Sequence, residues 1–285
     1  MIEHNQFSWT TKSQEKIYAY SWPIEEEPKA VICLVHGLGE HLHRYEHFAA
    51  YFNNQGYVVI AFDNVGHGRS GGKRGHVANY QIHMDNIKEL LDEAEKRYPL
   101  LPKFLYGHSM GGNFVLNYGL KNNPSIAGLI TTGAFITLDK RPSPLLMNFV
   151  KIIRYVLPSL LQANDLNPDH VSSDPKVVAK YVNDPLVHDK ISTNAAVELF
   201  DAADWLAGYQ GEVETPYLLM HGAVDSLTSP NGSRLLSNNL NGDVTHKEWE
   251  GMYHEIHNEP DQEKVFDYTI GWIESKIEKW GDGND

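Results

Sequence analysis

Three side chains that could together cleave an ester occur in this sequence, each just after an apolar run. Ser109 lies in the middle of a Gly-x-Ser-x-Gly turn that follows Phe104–Tyr106. A serine hydroxyl is a weak nucleophile by itself, so a base and a group that orients the base are required. Asp225 and His254 each come shortly after a later apolar segment. We therefore predict Ser109 as the nucleophile, Asp225 as the orienting acid and His254 as the base.

The turn around Ser109 also predicts where negative charge would be stabilised. Its glycines leave room where a Cβ would collide with strand or helix, and the turn directs the amides of the next helix towards the serine. The N–H of Met110 would then face a developing oxyanion. A second donor is expected from the glycine-rich loop His36–His41, where backbone can approach a substrate. In this loop we predict the backbone N–H of Leu38 as the second donor, so the side chain of Leu38 should matter little for oxyanion binding.

Other residues could take the acid and base roles. Asp201, Asp204 or Asp243 could replace Asp225, but they lie in a predicted helix or in a different loop. The rival base is His257, three residues after the predicted one. An isolated Gly-x-Ser-x-Gly is a weak pattern, so an ordinary turn serine is the alternative to a nucleophile. The apolar run before it and the helical segment after it favour the nucleophile.

We predict no metal ion and no cofactor. The segment His254–His257 is one residue short of His-Glu-x-x-His, so its imidazoles cannot lie one helical turn apart as that zinc motif requires. Asp63 and His67 belong to an Asp-x-x-Gly-x-Gly loop, which more often fixes loop geometry than carries chemistry. Cys33 lies within an apolar run and is expected to be a small buried side chain.

The composition restricts the class of partner. The 285 residues are 41% hydrophobic and include 37 acidic and 24 basic side chains, a net charge of −13. Such a chain can bury a sizeable core, and without a Lys/Arg cluster it is not expected to bind nucleic acid. A polyanionic substrate would be repelled, whereas a neutral one would not. Met1–Thr10 lacks the features of a secretory signal, so a cytoplasmic location is expected.

Strands and helices alternate along most of the chain. The patterns predict strands at 17–22, 30–35, 57–62, 103–106, 126–132, 216–220 and 244–249, and helices at 44–55, 80–98 and about 262–279. This order predicts an α/β fold with a mostly parallel central sheet flanked by helices, with catalytic groups at the carboxyl ends of its strands. The alternation is lost in the proline-rich segment 138–205. We therefore predict a core of 1–137 and 206–285, with an insertion over its active edge.

Six motifs carry a resemblance to a known family. They are His36–His41 with Arg44-Tyr45, Asn64–Ser70, Gly107–Gly111, Asn183–Leu186, His221–Asp225 and Tyr253–Glu259. These motifs are distributed over nearly the whole chain. In them the chain resembles the monoacylglycerol lipase and lysophospholipase branch of the α/β-hydrolase superfamily. Gly-His-Ser-Met-Gly-Gly is common among hydrolases, whereas Gly-Glu-His with Arg-Tyr, and Tyr-His-x-x-His-x-Glu, are more specific.

The resemblance implies an α/β-hydrolase with a helical cap, 138–205, inserted after the sixth strand. It implies a serine esterase that converts monoacylglycerols to fatty acid and glycerol through an acyl-enzyme. It also implies that Glu40, Arg44 and His257, with Tyr181 of the cap, line the pocket for the glycerol end. Polar side chains suit buried hydroxyls, which need hydrogen-bond partners. For Glu40 and Arg44, a surface ion pair is the alternative.

Other functions stay open at this point. A lysophospholipase or broad-specificity carboxylesterase would use the same triad and would differ in whether it accepts a charged headgroup. A non-catalytic ligand-binding member of the fold would lack an activated serine. A peptidase is less favoured, because nothing in the cap identifies a carboxylate that would bind an amine. Leu38 departs from the small or aromatic residue that the family often has there, which leaves the width of the acyl entrance open.

The segment 145–157 of the expected cap is almost wholly apolar. One helical stripe is formed by Leu146, Phe149, Val150, Ile153, Leu157 and Leu160. Such a helix can line an acyl tunnel and touch lipid, or it can be buried between cap and core. Thirteen residues rise about 20 Å, less than the ~30 Å of a bilayer core. The segment therefore predicts transient contact with membranes or micelles, and a peripheral location, rather than a membrane span.

Overall fold

The computed structural model describes residues 5–281 and is built around one large sheet. The described strands are β1 Gln6–Thr10, β2 Lys16–Trp22, β3 Ala30–Val35, β4 Tyr57–Phe62, β5 Lys103–His108, β6 Gly128–Thr132, β7 Leu161–Ala163, β8 Lys190–Ser192, β9 Gly211–Gly222 and β10 Leu240–Trp249. Eight of these strands form the sheet, in the order β1-β2-β4-β3-β5-β6-β9-β10, and β7 pairs with β8 separately. Residues 1–4 and 282–285, the two ends of the predicted core, lie outside the described residues. The first of these stretches is also the start of the segment Met1–Thr10.

Most neighbours in this sheet are parallel. All pairs from β4 across to β10 run parallel, whereas β1 pairs antiparallel with β2, and β2 with β4. Parallel neighbours require crossover connections, which helices supply here. The predicted α/β fold with a mostly parallel central sheet is confirmed. The carboxyl ends of β3, β5, β6, β9 and β10 lie side by side along one edge.

Helices cover both faces of the sheet. The described α-helices are α1 Glu46–Asn54, α2 Gln81–Arg97, α3 Met110–Asn122, α4 Pro144–Val156, α5 Pro175–Asn183, α6 Thr193–Ala207, α7 Pro230–Asn239 and α8 Gln262–Gly281. Side chains of α1 and α8 pack in one core cluster, and those of α2, α3 and α6 in the other. Successive residues of β3 alternate between the clusters: Val31 and Cys33 join the second, Ile32 and Leu34 the first. Burial on both faces explains why these strands are continuously apolar in sequence.

The chain leaves the sheet between β6 and β9 and forms α4, β7, α5, β8 and α6. Backbone hydrogen bonds attach this segment to loops of the core. The His188 N–H donates to the Gly39 carbonyl (2.9 Å), and the Glu255 N–H donates to the Val171 carbonyl (2.7 Å). The insertion limit expected at 205 falls within α6, whose apolar face packs with α3 in the core.

Helix α4 presents its apolar side chains to solvent. None of its residues is buried, and Leu145, Ile152 and Tyr155 are 83%, 67% and 79% exposed. An ion pair of Lys151 with Asp201 (2.7 Å) attaches it to α6. The alternative in which this helix is buried between cap and core is therefore wrong. Within residues 5–281, no helix combines the length and apolar character needed to cross a membrane.

The observed elements differ from the predicted ones mainly at their ends. The helix predicted over 44–55 begins as a 3₁₀ turn, Leu42–Tyr45, before α1. Strand β1 is not predicted from the sequence, although Phe7 and Trp9 alternate with polar residues and pack against the core. Five residues at a sheet edge give a short periodic signal, which explains the omission.

Two helical glycines test how tightly α3 packs on the sheet. A Cβ on Gly119 of α3 would lie 2.5 Å from the Tyr217 hydroxyl and 2.6 Å from Leu129 Cδ1, both buried, whereas a Cβ on Gly271 of α8 would meet nothing within 4 Å. We expect Gly119→Ala to lower the free energy of unfolding by about 1–3 kcal/mol through overpacking. Gly271→Ala should raise it by about 0.5–1 kcal/mol, because alanine loses less backbone entropy in a helix. Urea unfolding measures both, and equal effects would contradict the packing described.

Candidate active site

Ser109 lies in a strained turn between β5 and α3. Strand β5 ends at His108 and α3 begins at Met110, so Ser109 alone forms the junction. Its φ of 55° and ψ of −116° are unfavourable for a residue with a Cβ. Two hydrogen bonds of 3.0 Å attach it to β6 and the loop that follows: the Ser109 N–H donates to the Thr132 carbonyl, and the Phe135 N–H donates to the Ser109 carbonyl. The serine is thereby fixed at the carboxyl edge of the sheet.

Glycines allow α3 to begin this close to the sheet. A Cβ on Gly111 would overlap the carbonyl oxygen of Val35 and would lie 2.6 Å from that of His36. A Cβ on Gly37 would lie 3.1 Å from the Cβ of Ser109. The start of α3 and the loop after β3 therefore meet at the serine.

Both predicted oxyanion residues lie at this meeting point. Met110 is the first residue of α3, and the first amides of a helix have no intrahelical partner. Leu38 follows Gly37, whose N–H donates to Glu40 Oε1 (2.6 Å) and so fixes the loop. Leu38 and Met110 also line the same cavity. A helix N-terminus beside a fixed loop suits the binding of an anion.

The structure brings Ser109, Asp225 and His254 into hydrogen-bond contact. His254 Nδ1–H donates to Asp225 Oδ2 at 2.7 Å, and Ser109 Oγ–H donates to His254 Nε2 at 2.9 Å. The directions follow from the carboxylate, which can only accept, so Nδ1 carries the ring proton and Nε2 accepts. Asp225 and His254 are buried and Ser109 is half-buried. An imidazole held in this way can take the proton of the hydroxyl as the oxygen attacks.

The two partners shift each other's pKa. Burial disfavours the Asp225 carboxylate, but the attraction to His254 and the hydrogen bonds from His221 and His254 outweigh burial and lower the pKa of Asp225. Burial likewise disfavours a charged His254, yet the Asp225 carboxylate outweighs it and raises the pKa of this imidazole above its ordinary value. An ionised Asp225 beside a more basic His254 is the arrangement that general-base chemistry needs.

The rival acid and base residues lie elsewhere. Asp201 and Asp204 lie on α6, and Asp243 pairs with Lys276 (2.7 Å). His257 contacts the ring of His108, with 4.6 Å between ring centroids. Among residues 5–281, none of these four candidates is hydrogen-bonded to the serine.

Glu40 and Arg44 belong to a buried network of charges. Arg44 Nη1 donates to Glu40 Oε2 and to Glu255 Oε1, both at 2.6 Å, and Nη2 donates to Glu255 Oε2 at 2.7 Å. Glu40 Oε1 also accepts the Tyr45 hydroxyl (2.8 Å). The Arg44 side chain is only 9% exposed, so the alternative of a surface ion pair is wrong. Because Glu40 lies in the loop after β3 and Glu255 follows His254 in the loop after β10, Arg44 joins the two loops.

The two carboxyl groups on Arg44 are not equivalent. Burial raises the pKa of Glu40, which the nearby Arg44 offsets only in part. Burial also opposes ionisation of Glu255, but attraction to Arg44 and its two hydrogen bonds prevail and lower the pKa of Glu255. Arg44 also makes two hydrogen bonds to Glu255 and one to Glu40, so Glu255 is its principal partner, a role that the sequence analysis does not assign to it.

His257 and Tyr181 lie next to this network. The buried His257 ring stacks on Tyr45 with 4.8 Å between centroids, and neither of its nitrogens has a hydrogen-bond partner within the described chain. Burial lowers the pKa of His257 well below its ordinary value. Tyr181 of α5 lies over the guanidinium of Arg44 at 4.8 Å. The four residues predicted to line a polar pocket are therefore grouped around Arg44 and Tyr45.

The described residues offer no metal site. Across residues 5–281, no group of three or more His, Cys, Asp or Glu side chains is arranged to hold a metal ion.

Known proteins share this architecture. A family model described as serine aminopeptidase, S33, matches residues 26–261. Over 90% of its length the chain is 35% identical to the monoacylglycerol lipase of Mycolicibacterium smegmatis, of which it covers 92%. The chain belongs to the monoacylglycerol lipase and lysophospholipase family of α/β-hydrolases. The resemblance inferred from the motifs is thereby confirmed.

Two further comparisons show how much of each related protein this chain covers. The crystal structure of the monoacylglycerol lipase of Paleococcus ferrophilus superposes with a TM-score of 0.83 at 32% identity, covering 91% of this chain and 99% of that one. An uncharacterized abhydrolase domain-containing protein of Dictyostelium discoideum is 35% identical over 94% of this chain, which spans only 29% of that protein. These relationships identify the hydrolase as an ester-cleaving enzyme with a lipase or esterase role.

A largely apolar cavity in this hydrolase lies beside the two predicted oxyanion residues. Leu38 and Met110 line it, with Phe114 from α3 and with Ile191 and Leu199 from the segment between β6 and β9. The cavity thus begins at the two predicted oxyanion residues and continues beneath the inserted segment. Most of its surface is apolar, although His67, His83 and Glu198 also contribute to the lining.

Sequence patterns do not reveal every partner in the site of the hydrolase. Thr228 Oγ1 lies 2.9 Å from Asp225 Oδ2 and 3.3 Å from His254 Nδ1. Glu255 lies within the motif Tyr-His-x-x-His-x-Glu, but its partner Arg44 is 211 positions away. The only signal for Glu255 is its place directly after His254, the predicted base, and no spacing rule connects it to an arginine.

The burial of the Arg44 network predicts a large stability effect in the hydrolase. Arg44→Leu would leave two buried carboxyl groups without their cation, so the free energy of unfolding should fall by about 3–5 kcal/mol. A matched control is Arg234→Leu, since Arg234 makes the same two-pronged contact with Glu248 but is 47% exposed. Water screens that pair, and its loss should be far smaller. Denaturant unfolding of both variants measures the difference, and similar losses would show that burial of the network contributes nothing.

Proposed function

We propose that the hydrolase cleaves monoacylglycerols to fatty acid and glycerol through an acyl-enzyme. The observation that carries this proposal is the position of His254, whose two ring nitrogens contact Ser109 and Asp225 at once. The monoacylglycerol lipases of M. smegmatis and P. ferrophilus, which resemble the chain over most of its length, support the substrate class.

In the proposed acylation, Ser109 Oγ attacks the ester carbonyl while His254 Nε2 accepts its proton. Asp225 orients the ring and stabilises the imidazolium that forms. The amides of Leu38 and Met110 donate to the oxyanion of the tetrahedral intermediate. Each such donor typically stabilises the transition state by ~3 kcal/mol. His254 then returns the proton to the leaving glycerol oxygen.

Deacylation repeats the same proton transfers with water. His254 Nε2 accepts a proton from a water molecule, whose oxygen attacks the acyl carbonyl of the Ser109 ester. The same two amides bind the second oxyanion, and collapse of this intermediate gives the proton back to Ser109 and releases the fatty acid.

The two ends of the substrate would lie in different surroundings. We propose that Glu40, Arg44, His257 and Tyr181 line the pocket for the glycerol end. The unpaired nitrogens of the neutral His257 ring can serve hydroxyls, while Glu40 and Arg44 are already hydrogen-bonded to each other. The apolar cavity beyond the oxyanion residues would hold the acyl chain.

We propose that segment 138–205 is a cap through which lipid enters. Its α4 exposes a row of large apolar side chains, among them Leu145, Phe149, Ile152 and Tyr155. Exposed apolar surface of this kind favours contact with micelles or the surface of a membrane. A neutral lipid ester could then pass from an aggregate to the site, and the protein would act at the periphery of such surfaces.

The substrate is tested by fatty-acid release from a monoacylglycerol and a lysophosphatidylcholine of equal chain length, with Ser109→Ala as the blank. Loss of the nucleophile should lower kcat by about 10⁴-fold or more. A pocket matched to glycerol should favour the monoacylglycerol on the order of tenfold, because a charged headgroup would be desolvated without a partner. Comparable Ser109-dependent rates would favour a lysophospholipase or a broad carboxylesterase, and release that survives Ser109→Ala would refute the mechanism.

The raised pKa of His254 predicts the pH dependence. The base must be neutral to act, so kcat/KM should fall as the pH drops through a midpoint above about 6.5, the ordinary value for histidine. Removing the carboxylate with Asp225→Asn should move the midpoint of the residual activity downward, since the main stabilising charge is lost. Hydrolysis of a nitrophenyl ester between pH 5 and 9 measures both. An unchanged midpoint in Asp225→Asn would exclude the assigned charge partner.

A further inference from the structure

A second imidazole contacts the carboxylate that orients the base. His221 is fully buried near the end of β9, and its Nε2 lies 3.0 Å from Asp225 Oδ2, the oxygen that accepts from His254. Its Nδ1 lies 2.8 Å from the hydroxyl of Ser233 on α7, which is also fully buried. The proposed mechanism uses neither His221 nor Ser233.

The protons of this contact can be placed from its chemistry. An ionised Asp225 only accepts, so Nε2 of His221 must carry the proton and donate it. In a neutral ring, Nδ1 then accepts the hydroxyl proton of Ser233. Ser233 thereby holds His221 in the tautomer whose Nε2–H faces the carboxylate. An imidazole that is hydrogen-bonded through both of its nitrogens cannot easily turn away from the carboxylate.

The other contacts of Asp225 leave a specific task for His221. Oδ1 accepts the N–H groups of Leu227 (2.8 Å) and Thr228 (3.1 Å). The Thr228 hydroxyl has one proton and two acceptors at 2.9 Å, Asp225 Oδ2 and the Gly133 carbonyl, so it cannot donate fully to both. Among the described residues, His221 is, besides His254, the side-chain N–H donor to Oδ2, and its Nε2 lies nearer to Oδ2 (3.0 Å) than to the Thr228 hydroxyl (3.2 Å).

We propose that His221 is a positioning residue for ester hydrolysis, donating to Asp225 Oδ2 so that the carboxylate stays aimed at His254, with Ser233 fixing its tautomer. The proposal rests on the proposed roles of Ser109, Asp225 and His254. His221 does not touch substrate, so it acts on the chemical step and leaves substrate binding unchanged.

Two substitutions separate donation from packing. In His221→Gln, the amide nitrogen occupies nearly the position of Nε2 and can still donate, whereas His221→Leu fills similar space without a donor. We expect kcat to fall about 10–100-fold in His221→Leu with KM within about twofold, as for other residues that orient a catalytic ligand through one hydrogen bond. His221→Gln should stay within about threefold of the parent. His246→Leu, on the neighbouring strand β10, is the control and should leave kcat unchanged.

A double-mutant cycle links the effect to Asp225. If His221 acts through the carboxylate, His221→Leu should change the residual kcat of Asp225→Asn by no more than about twofold, although it costs far more in the parent. Thermal unfolding shows which variants are folded at the assay temperature. Equal kcat losses in the Gln and Leu variants, or a full additional loss in the Asp225→Asn background, would overturn the proposal. A Ser109→Ala variant that keeps its activity would instead refute the mechanism on which it rests.

Discussion

The close approach of α3 to the end of β3 is the constraint on which the rest of the site depends. Helix α3 can begin beside the Val35 carbonyl only because residue 111 has no side chain. This contact forces Ser109 into its positive φ and places the first amide of α3 next to the loop of Leu38. A displacement of α3 by even a methyl group would move the serine hydroxyl, one proposed oxyanion amide and the wall of the cavity together. Backbone packing, rather than the serine itself, therefore determines whether a nucleophile can exist here.

Buried charged side chains connect the loops that the packing of α3 against β3 does not fix. The loop after β3 and the loop after β10 are far apart in sequence and share no strand pairing, yet Arg44 binds a carboxyl group on each. A planar guanidinium suits this task because it can hold Glu255 with two parallel bonds and still reach Glu40. Desolvation makes such a network costly to assemble and costly to break, so its benefit lies in fixing geometry more than in adding stability. The proposed base and one proposed oxyanion donor are thus held by one cation.

Much of this arrangement could be predicted because Ser109, Asp225 and His254 each follow a strand of a parallel sheet, and the ends of such strands meet at one edge. Local order along the chain was enough to bring them together. Other contacts could not be predicted: nothing in the spacing of Arg44 and Glu255 indicates that they touch. His221 begins one of the six motifs, but its sequence position does not indicate that its ring contacts Asp225. The exposure of α4 was equally undetermined, since the same apolar stripe fits a buried helix and a surface one. The short edge strand β1 was lost because Phe7 and Trp9 alone give too brief an alternation.

The backbone hydrogen bonds between the inserted segment and the core divide that segment into two parts that should differ in how well they tolerate mutation. Through His188 and Val171, the stretch around β8 and α5 is bonded to the same loops that carry Leu38 and His254. Mutations in this stretch would therefore be expected to affect catalysis. Helix α4 has no buried residue and is held by ion pairs to α6, so its side chains can be exchanged without touching the serine. During divergence, the physical form in which a lipid is encountered, dispersed or aggregated, could therefore be altered independently of the rate at which its ester bond is cut.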